Sequence, residues 1–196
     1  MYSDAELTDI LSIRLSKKRF THSLNVAAEA KKLAEFYGYK DPGEAYTAGL
    51  VHDCCKEIPA EEQLAMVKKS RRNVCDAELA TPALYHAIAG AYYAEHVFGF
   101  TNEDFLNSIR YHTTGRANMS RIEEIVYLAD LISAERSYKD VDKMRKAAYQ
   151  SVNKAMLAAL RFSVTEVVGK GSLLPLHTIE AYNQYTLIDR EENSND

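Results

Sequence analysis

The chain has 196 residues, 46% of them apolar and 27% charged, which is the balance of one ordinary globular domain and excludes a disordered or membrane-embedded chain. Its 24 basic and 28 acidic residues leave a net charge of −4, so the basic footprint of a nucleic-acid-binding protein is missing and DNA or RNA is not an expected partner. No apolar run approaches the ~20 residues that cross a bilayer, and the N-terminal segment lacks a basic start followed by a long apolar stretch, so the expected location is the cytoplasm, with no membrane partner.

Helix formers at helical spacing dominate and strand-like alternation is scarce, so the expected fold class is all-α, a single domain over residues 1–190. Ser3 with Glu6 has the pattern of a capping box. A long helical pattern begins near Ser16, and Gly38 is placed to stop it. Asp41-Pro42 and Thr81-Pro82 each set a capping side chain before a proline at the first helical position. Further helices are expected over residues 60–70, 82–98, 102–112, 120–133, 140–161 and 176–189, about eight or nine in all. The tail, residues 191–196, has the composition of a disordered end.

Cys54, Cys55 and Cys75 are an odd set with a vicinal pair and no C-x-x-C spacing, which suits reduced, partly buried thiols better than a secreted disulfide framework or a zinc knuckle. A redox role for the vicinal pair is the lesser alternative.

Histidine carries most of the chemical information. There are six, and His22, His52, His86 and His112 lie in or beside stretches whose other residues face a core. One such histidine is more often a core residue bonded to a carbonyl than a ligand. Four of them, accompanied by acids, point to a metal centre. His52-Asp53 follows the small and apolar run AYTAGLV, and Asp130 interrupts IVYLADLIS; a carboxylate buried in such surroundings needs a cation or hydrogen bonds. No Lys or Arg lies within four residues of Asp130, and an ion pair with a more distant arginine is the alternative to metal ligation there.

Imidazoles with carboxylates suit iron, manganese, zinc, nickel or cobalt rather than calcium or magnesium. One transition-metal ion can take His22, His52, Asp53 and Asp130, and a second can take His86 and His112, the two bridged by the oxygens of Asp53. Two cations ~3.5–4 Å apart then clamp a phosphate and generate hydroxide between them. His96 follows His86 by ten residues, about 280° round a helix, and is expected to face elsewhere.

In the order H…HD…D, formed here by His22, His52-Asp53 and Asp130, the chain resembles the HD superfamily. It is similar, more narrowly, to the YqeK-type branch of bacterial symmetrical diadenosine tetraphosphate hydrolases, in the phrases RFTHSLNVA, GLVHDCCKE, YHTTG, IVYLADLISAER and HTIEAYN. The resemblance implies an HD-type helical bundle holding a di-iron centre. It also implies a nucleotide substrate, cut into two ADP by a metal-bound hydroxide. Asp53 and Lys56 are then the catalytic residues, with Lys56 near the phosphate, and Arg19, Lys56, Thr113, Thr114, Gly115 and Arg136 are the expected substrate contacts. The bland alternatives are solvated charges for Lys56 and Arg136, a helix stop for Thr113 to Gly115, and an Arg19–Glu pair. Where the branch has a stretch like IEPNR, this chain reads ISAER, so Ser133 and Ala134 replace an acid and a proline. His177 is expected to cap the last helix or line the nucleotide pocket. Rival functions are an HD phosphohydrolase acting on a deoxynucleotide, a cyclic nucleotide or an NAD-related dinucleotide, and a metal-dependent nucleotide-sensing module. A homodimer is allowed but not demanded.

Overall fold

The computed structural model describes residues 2–194. The first helix, α1 (Asp4–Arg14), opens on the expected capping box, with the Ser3 amide donating to the Glu6 carboxylate at 2.8 Å. α2 (Lys17–Phe36) is capped by Ser16, and α3 (Pro42–Val51) by Asp41, whose Oδ1 accepts from the Glu44 amide at 3.0 Å. α2 packs most extensively on α3. At Gly49 a Cβ would come within 2.9 Å of the Ala27 Cα, so only glycine allows this backbone approach.

The chain continues through α4 (Ala60–Lys69), the short α5 (Asp76–Leu79), a 3-10 turn (Pro82–Leu84), α6 (Tyr85–His96), α7 (Glu103–Arg110) and α8 (Arg121–Ile132). α9 (Val141–Ala148), α10 (Val152–Gly169) and α11 (Leu176–Ser194) complete it, and no strand occurs among the described residues.

Three expectations need correction. The pattern over 140–161 is not one helix: Gln150 N–H closes α9 on the Ala147 carbonyl at 3.0 Å, and Ser151 starts α10 by accepting from the Lys154 amide at 3.5 Å. Apolar periodicity continues through such a break, and only the serine cap marks it. Thr81 precedes the 3-10 turn, but its hydroxyl donates backwards to the Ala77 carbonyl at 2.7 Å and caps nothing. Third, the tail expected to be disordered continues α11 through Ser194, tied by Asn153 Nδ2 to Glu192 at 2.6 Å and Asn193 Nδ2 to Asp189 at 3.1 Å; residues 195 and 196 lie outside the described residues.

Two apolar cores meet along α2, α3 and α8. The first gathers Leu7, Leu11, Leu50, Val51, Phe105 and Ile109; the second gathers Val26, Leu33, Leu128, Met156, Leu160 and Tyr185. Cys54 and Cys55 are buried in the first as free thiols, more deeply than expected. Burial of each large aliphatic side chain contributes about 1.5–3 kcal/mol, so the walls around the junction are rigid. The junction is also where charged side chains collect.

Candidate metal centre

His22 projects from the second turn of α2. His52 and Asp53 occupy the turn after α3, His86 the first turn of α6, His112 the turn after α7, and Asp130 the last turn of α8. All but Asp130 are buried. His22 Nε2 lies 3.0 Å from Asp130 Oδ1 and 3.7 Å from Asp53 Oδ2, and His52 Nε2 lies 3.4 Å from the same Asp53 oxygen and 3.9 Å from Asp130 Oδ1. The other Asp53 oxygen, Oδ1, faces His86 Nε2 at 3.4 Å and His112 Nε2 at 3.6 Å, and those two nitrogens are 3.3 Å apart. Each carboxylate oxygen of Asp53 thus addresses a different pair of imidazoles.

His22 Nε2, His52 Nε2 and Asp53 Oδ1 are buried without a hydrogen-bond partner; the 3.0 Å approach of His22 to Asp130 lacks hydrogen-bond geometry. A buried polar atom left unpaired costs about 1–3 kcal/mol, and three converging on one region are the arrangement a cation relieves. The donor set, nitrogen with carboxylate oxygen, fits a transition metal.

The rings are fixed from behind. His52, His86 and His112 donate Nδ1–H to the carbonyls of Gly49, Ala83 and Ile109 at 2.6, 2.8 and 2.7 Å. His22 Nδ1 donates instead to Glu135 Oε1. In every case Nε2 is left as the lone-pair donor.

Electrostatics follow from burial and neighbours. Burial opposes ionisation of Asp53, yet the His52 and His112 imidazoles around it hold its carboxyl well below the usual range. Asp130 is likewise held down against burial, by the adjacent His22 and His52 rings and by the charge of Arg136. Burial and the adjacent His112 push His86 down to about 3, which keeps it a neutral ligand. Burial lowers His22, but Asp130 and Glu135 more than offset this and its pKa is raised. Burial also lowers Lys56.

Three cations border the cluster. Arg19 Nη1 contacts Asp53 Oδ2 at 2.7 Å, so its partner is an aspartate rather than a nearby glutamate. Arg136 binds the Asp130 carboxylate and, through Nε, the Asp130 carbonyl at 2.8 Å. It lies six residues after Asp130, so the ion-pair alternative is realised beside the histidine contacts. Lys56 Nζ sits 3.2 Å from both ring nitrogens of His86. Thr113 and Thr114 have buried hydroxyls without protein partners, and Gly115 ends the turn at φ 64°. The segment is both a helix stop and a source of free hydroxyls. A cavity of about 340 Å³ opens beside His22, lined by Lys18, Arg19, Arg136 and Tyr138. The larger cleft, about 740 Å³, is lined by Arg72, Tyr92 and Glu95 among others and by none of the clustered His or Asp residues, so volume alone does not locate the chemistry.

The hydrogen bonds of the described residues include no helix cap by His177. It lies in the first turn of α11 with its ring edge against Tyr111 and Nε2 3.5 Å from Glu78 Oε1, in a buried network with Arg110, which contacts that oxygen at 2.8 Å. Cys75 joins this cluster. The fixed guanidinium already neutralises Glu78, so the group is an ion pair rather than a second cation site. His96 stacks on Tyr92, centroids 4.1 Å apart, away from the centre as expected. Glu135 escaped the sequence reading. The signal available was its place five residues after Asp130.

The HD domain family matches residues 19–135. The symmetrical bis(5'-nucleosyl)-tetraphosphatase of Halalkalibacterium halodurans is 34% identical over 173 residues, 88% of this chain and 91% of that one. The Bacillus subtilis protein of the same name is 33% identical over 172 residues, 87% and 90% of the two chains. A crystal structure from Clostridium acetobutylicum, described as a predicted HD superfamily hydrolase involved in NAD metabolism, superposes with a TM-score of 0.90 at 41% identity, covering 97% of this chain and 99% of its own.

Proposed function

The chain belongs to the HD domain family, and from that premise we propose that it is a metal-dependent enzyme that hydrolyses diadenosine tetraphosphate symmetrically to two ADP. The observation that carries this reading is Asp53, whose two oxygens each face a separate pair of histidine nitrogens inside a ring of three cations. His22, His52, Asp53 and Asp130 would hold one ion, and His86, His112 and Asp53 a second, with iron favoured among the transition metals. Bound there, such ions supply Lewis acidity and lower the pKa of water.

The remaining work falls to side chains of this chain. The acids Asp53, Asp130 and Glu135 are matched by Arg19, Lys56 and Arg136, so any divalent ion makes the site net positive and suited to a polyphosphate. Arg19 and Arg136 line the cavity beside His22, where phosphoryl oxygens can replace the aspartate contacts they now make. The free hydroxyls of Thr113 and Thr114 offer neutral donors. Water adds across the central phosphoanhydride: one ADP takes the incoming oxygen, the other keeps the bridging oxygen.

No helix among the described residues is long and apolar enough to cross a membrane. The buried free thiols of Cys54 and Cys55 support a reducing compartment, the cytoplasm.

The test is anaerobic loading with iron, incubation with diadenosine tetraphosphate and chromatography of the products, with Asp53→Ala as control. ADP as sole product, absent in the control, is expected. ATP plus AMP, or no turnover by the loaded protein, overturns the assignment. The description of the Clostridium acetobutylicum structure favours a second reading, an NAD-related dinucleotide as substrate, and preferential turnover of such a compound in the same assay would establish it.

A further inference from the structure

We propose that Glu135 is a positioning residue that orients His22 and strengthens its ligating nitrogen as a donor, so that the two halves of the centre hold their ions with unequal strength. The inference rests on the metal-centre reading and concerns a residue to which that reading gave only a share in the charge balance.

The asymmetry begins with helix geometry. His52 and His112 follow the ends of α3 and α7, and His86 follows the 3-10 turn, so each finds a backbone carbonyl three residues back for its Nδ1–H. Carbonyls near helix ends are free for this purpose. His22 sits inside α2, where neighbouring carbonyls are taken by the helix itself. Its Nδ1 partner must come from another element, and Glu135, in the turn after α8, supplies it.

Glu135 is held for the task. Asn25, one turn after His22 on α2, donates Nδ2–H to Glu135 Oε2 at 2.7 Å, and the Ser133 hydroxyl donates to Oε1 at 2.7 Å. The turn carrying Glu135 is itself fixed: Arg145 donates to the carbonyls of Ile132, Ser133 and Arg136 at 3.1, 3.0 and 2.9 Å. The same turn is tied to Asp130 through Arg136 Nε at 2.8 Å. One short segment therefore sets both Asp130 and the back of His22.

A carboxylate behind a ligating imidazole fixes the tautomer, locks the ring plane and raises the basicity of the other nitrogen. Only His22 has this support; the rest have neutral carbonyls. The ion held by His22, His52, Asp53 and Asp130 is then the tighter one, and Glu135 is the reason.

The test is cobalt(II) titration of the metal-free protein without nucleotide, followed by visible absorption, for the wild type, Glu135→Gln, Glu135→Ala and His22→Ala. Loss of an outer carboxylate of this kind lowers metal affinity about 10–100-fold. The expected result is that Glu135→Ala weakens the tighter cobalt class by this factor, shifts its absorption bands and leaves the weaker class unchanged. Glu135→Gln, which still accepts from Nδ1, should fall between it and the wild type. In the His22→Ala background, Glu135→Ala should have no further effect. Wild-type titration curves and bands in Glu135→Ala, with circular dichroism showing an intact fold, would overturn the proposal alone. Equal weakening of both cobalt classes would overturn it too, and a wild type that takes up no cobalt would remove the metal-centre reading with it.

Discussion

Replacing Arg110 by methionine removes one half of an ion pair in which Arg110 is 1% and Glu78 0% exposed, with Nη2 2.8 Å from the carboxylate. Glu78 would remain among apolar neighbours with its charge uncompensated, since its other contacts are the Cys75 amide at 3.0 Å and His177 at 3.5 Å. Breaking a buried pair in this way costs about 3–5 kcal/mol. For a chain of this length each kcal/mol moves Tm by about 2–4 °C, so Arg110→Met should melt about 6–20 °C below the wild type. Adding Glu78→Gln removes the stranded charge, keeps an acceptor for the Cys75 amide and should restore most of the loss, because a neutral pair of similar volume is often no less stable than the ions. The measurement is thermal and urea denaturation of all three proteins, metal-free, by circular dichroism. The reasoning is refuted if Arg110→Met costs less than about 1 kcal/mol, the value of an exposed pair, or if the double variant is as unstable as the single.

Gly49→Ala sets a Cβ 2.9 Å from the Ala27 Cα and 3.0 Å from its nitrogen, and since backbone cannot yield cheaply, a loss of about 1–3 kcal/mol is expected in urea melts. Arg136→Lys cannot reproduce the paired contacts to the Asp130 carbonyl and carboxylate; with each charged hydrogen bond contributing about 1.5–3 kcal/mol, a lower Tm is expected, and steady-state assays at a temperature where the variant remains folded should show turnover at least about tenfold lower. His86 is held at about 3 against an ordinary 6.5 by burial, so the unfolded chain takes up its proton first; this contribution to stability is intact above about pH 6.5 and is lost as pH falls toward 3. His86→Gln should therefore flatten the acid side of the Tm–pH curve of the metal-free protein, and parallel wild-type and variant curves would count against the assignment.

What the sequence determined by itself was the helical class, most helix starts and the identity of the residues that converge. Ser3 with Glu6, Ser16 and Asp41-Pro42 are local signals, read within one turn, and the structure uses them as written. The clustering of His22, His52, Asp53, His86, His112 and Asp130 was legible because polar residues in apolar stretches demand compensation wherever they end up. Order along the chain does not say which side chain stands behind which. The break at 149–151 hides in continuous apolar periodicity, and Glu135 looks like any surface acid until the turn after α8 brings it to His22. Arg136 and Arg19 are ordinary cations in sequence, and the acid nearest to His177 in sequence is Glu180. Their partners are Asp130, Asp53 and Glu78, and tertiary packing selected them. Long-range pairs of this kind depend on the relative placement of helices, which is decided by the two apolar cores meeting along α2, α3 and α8 rather than by any property of the paired residues.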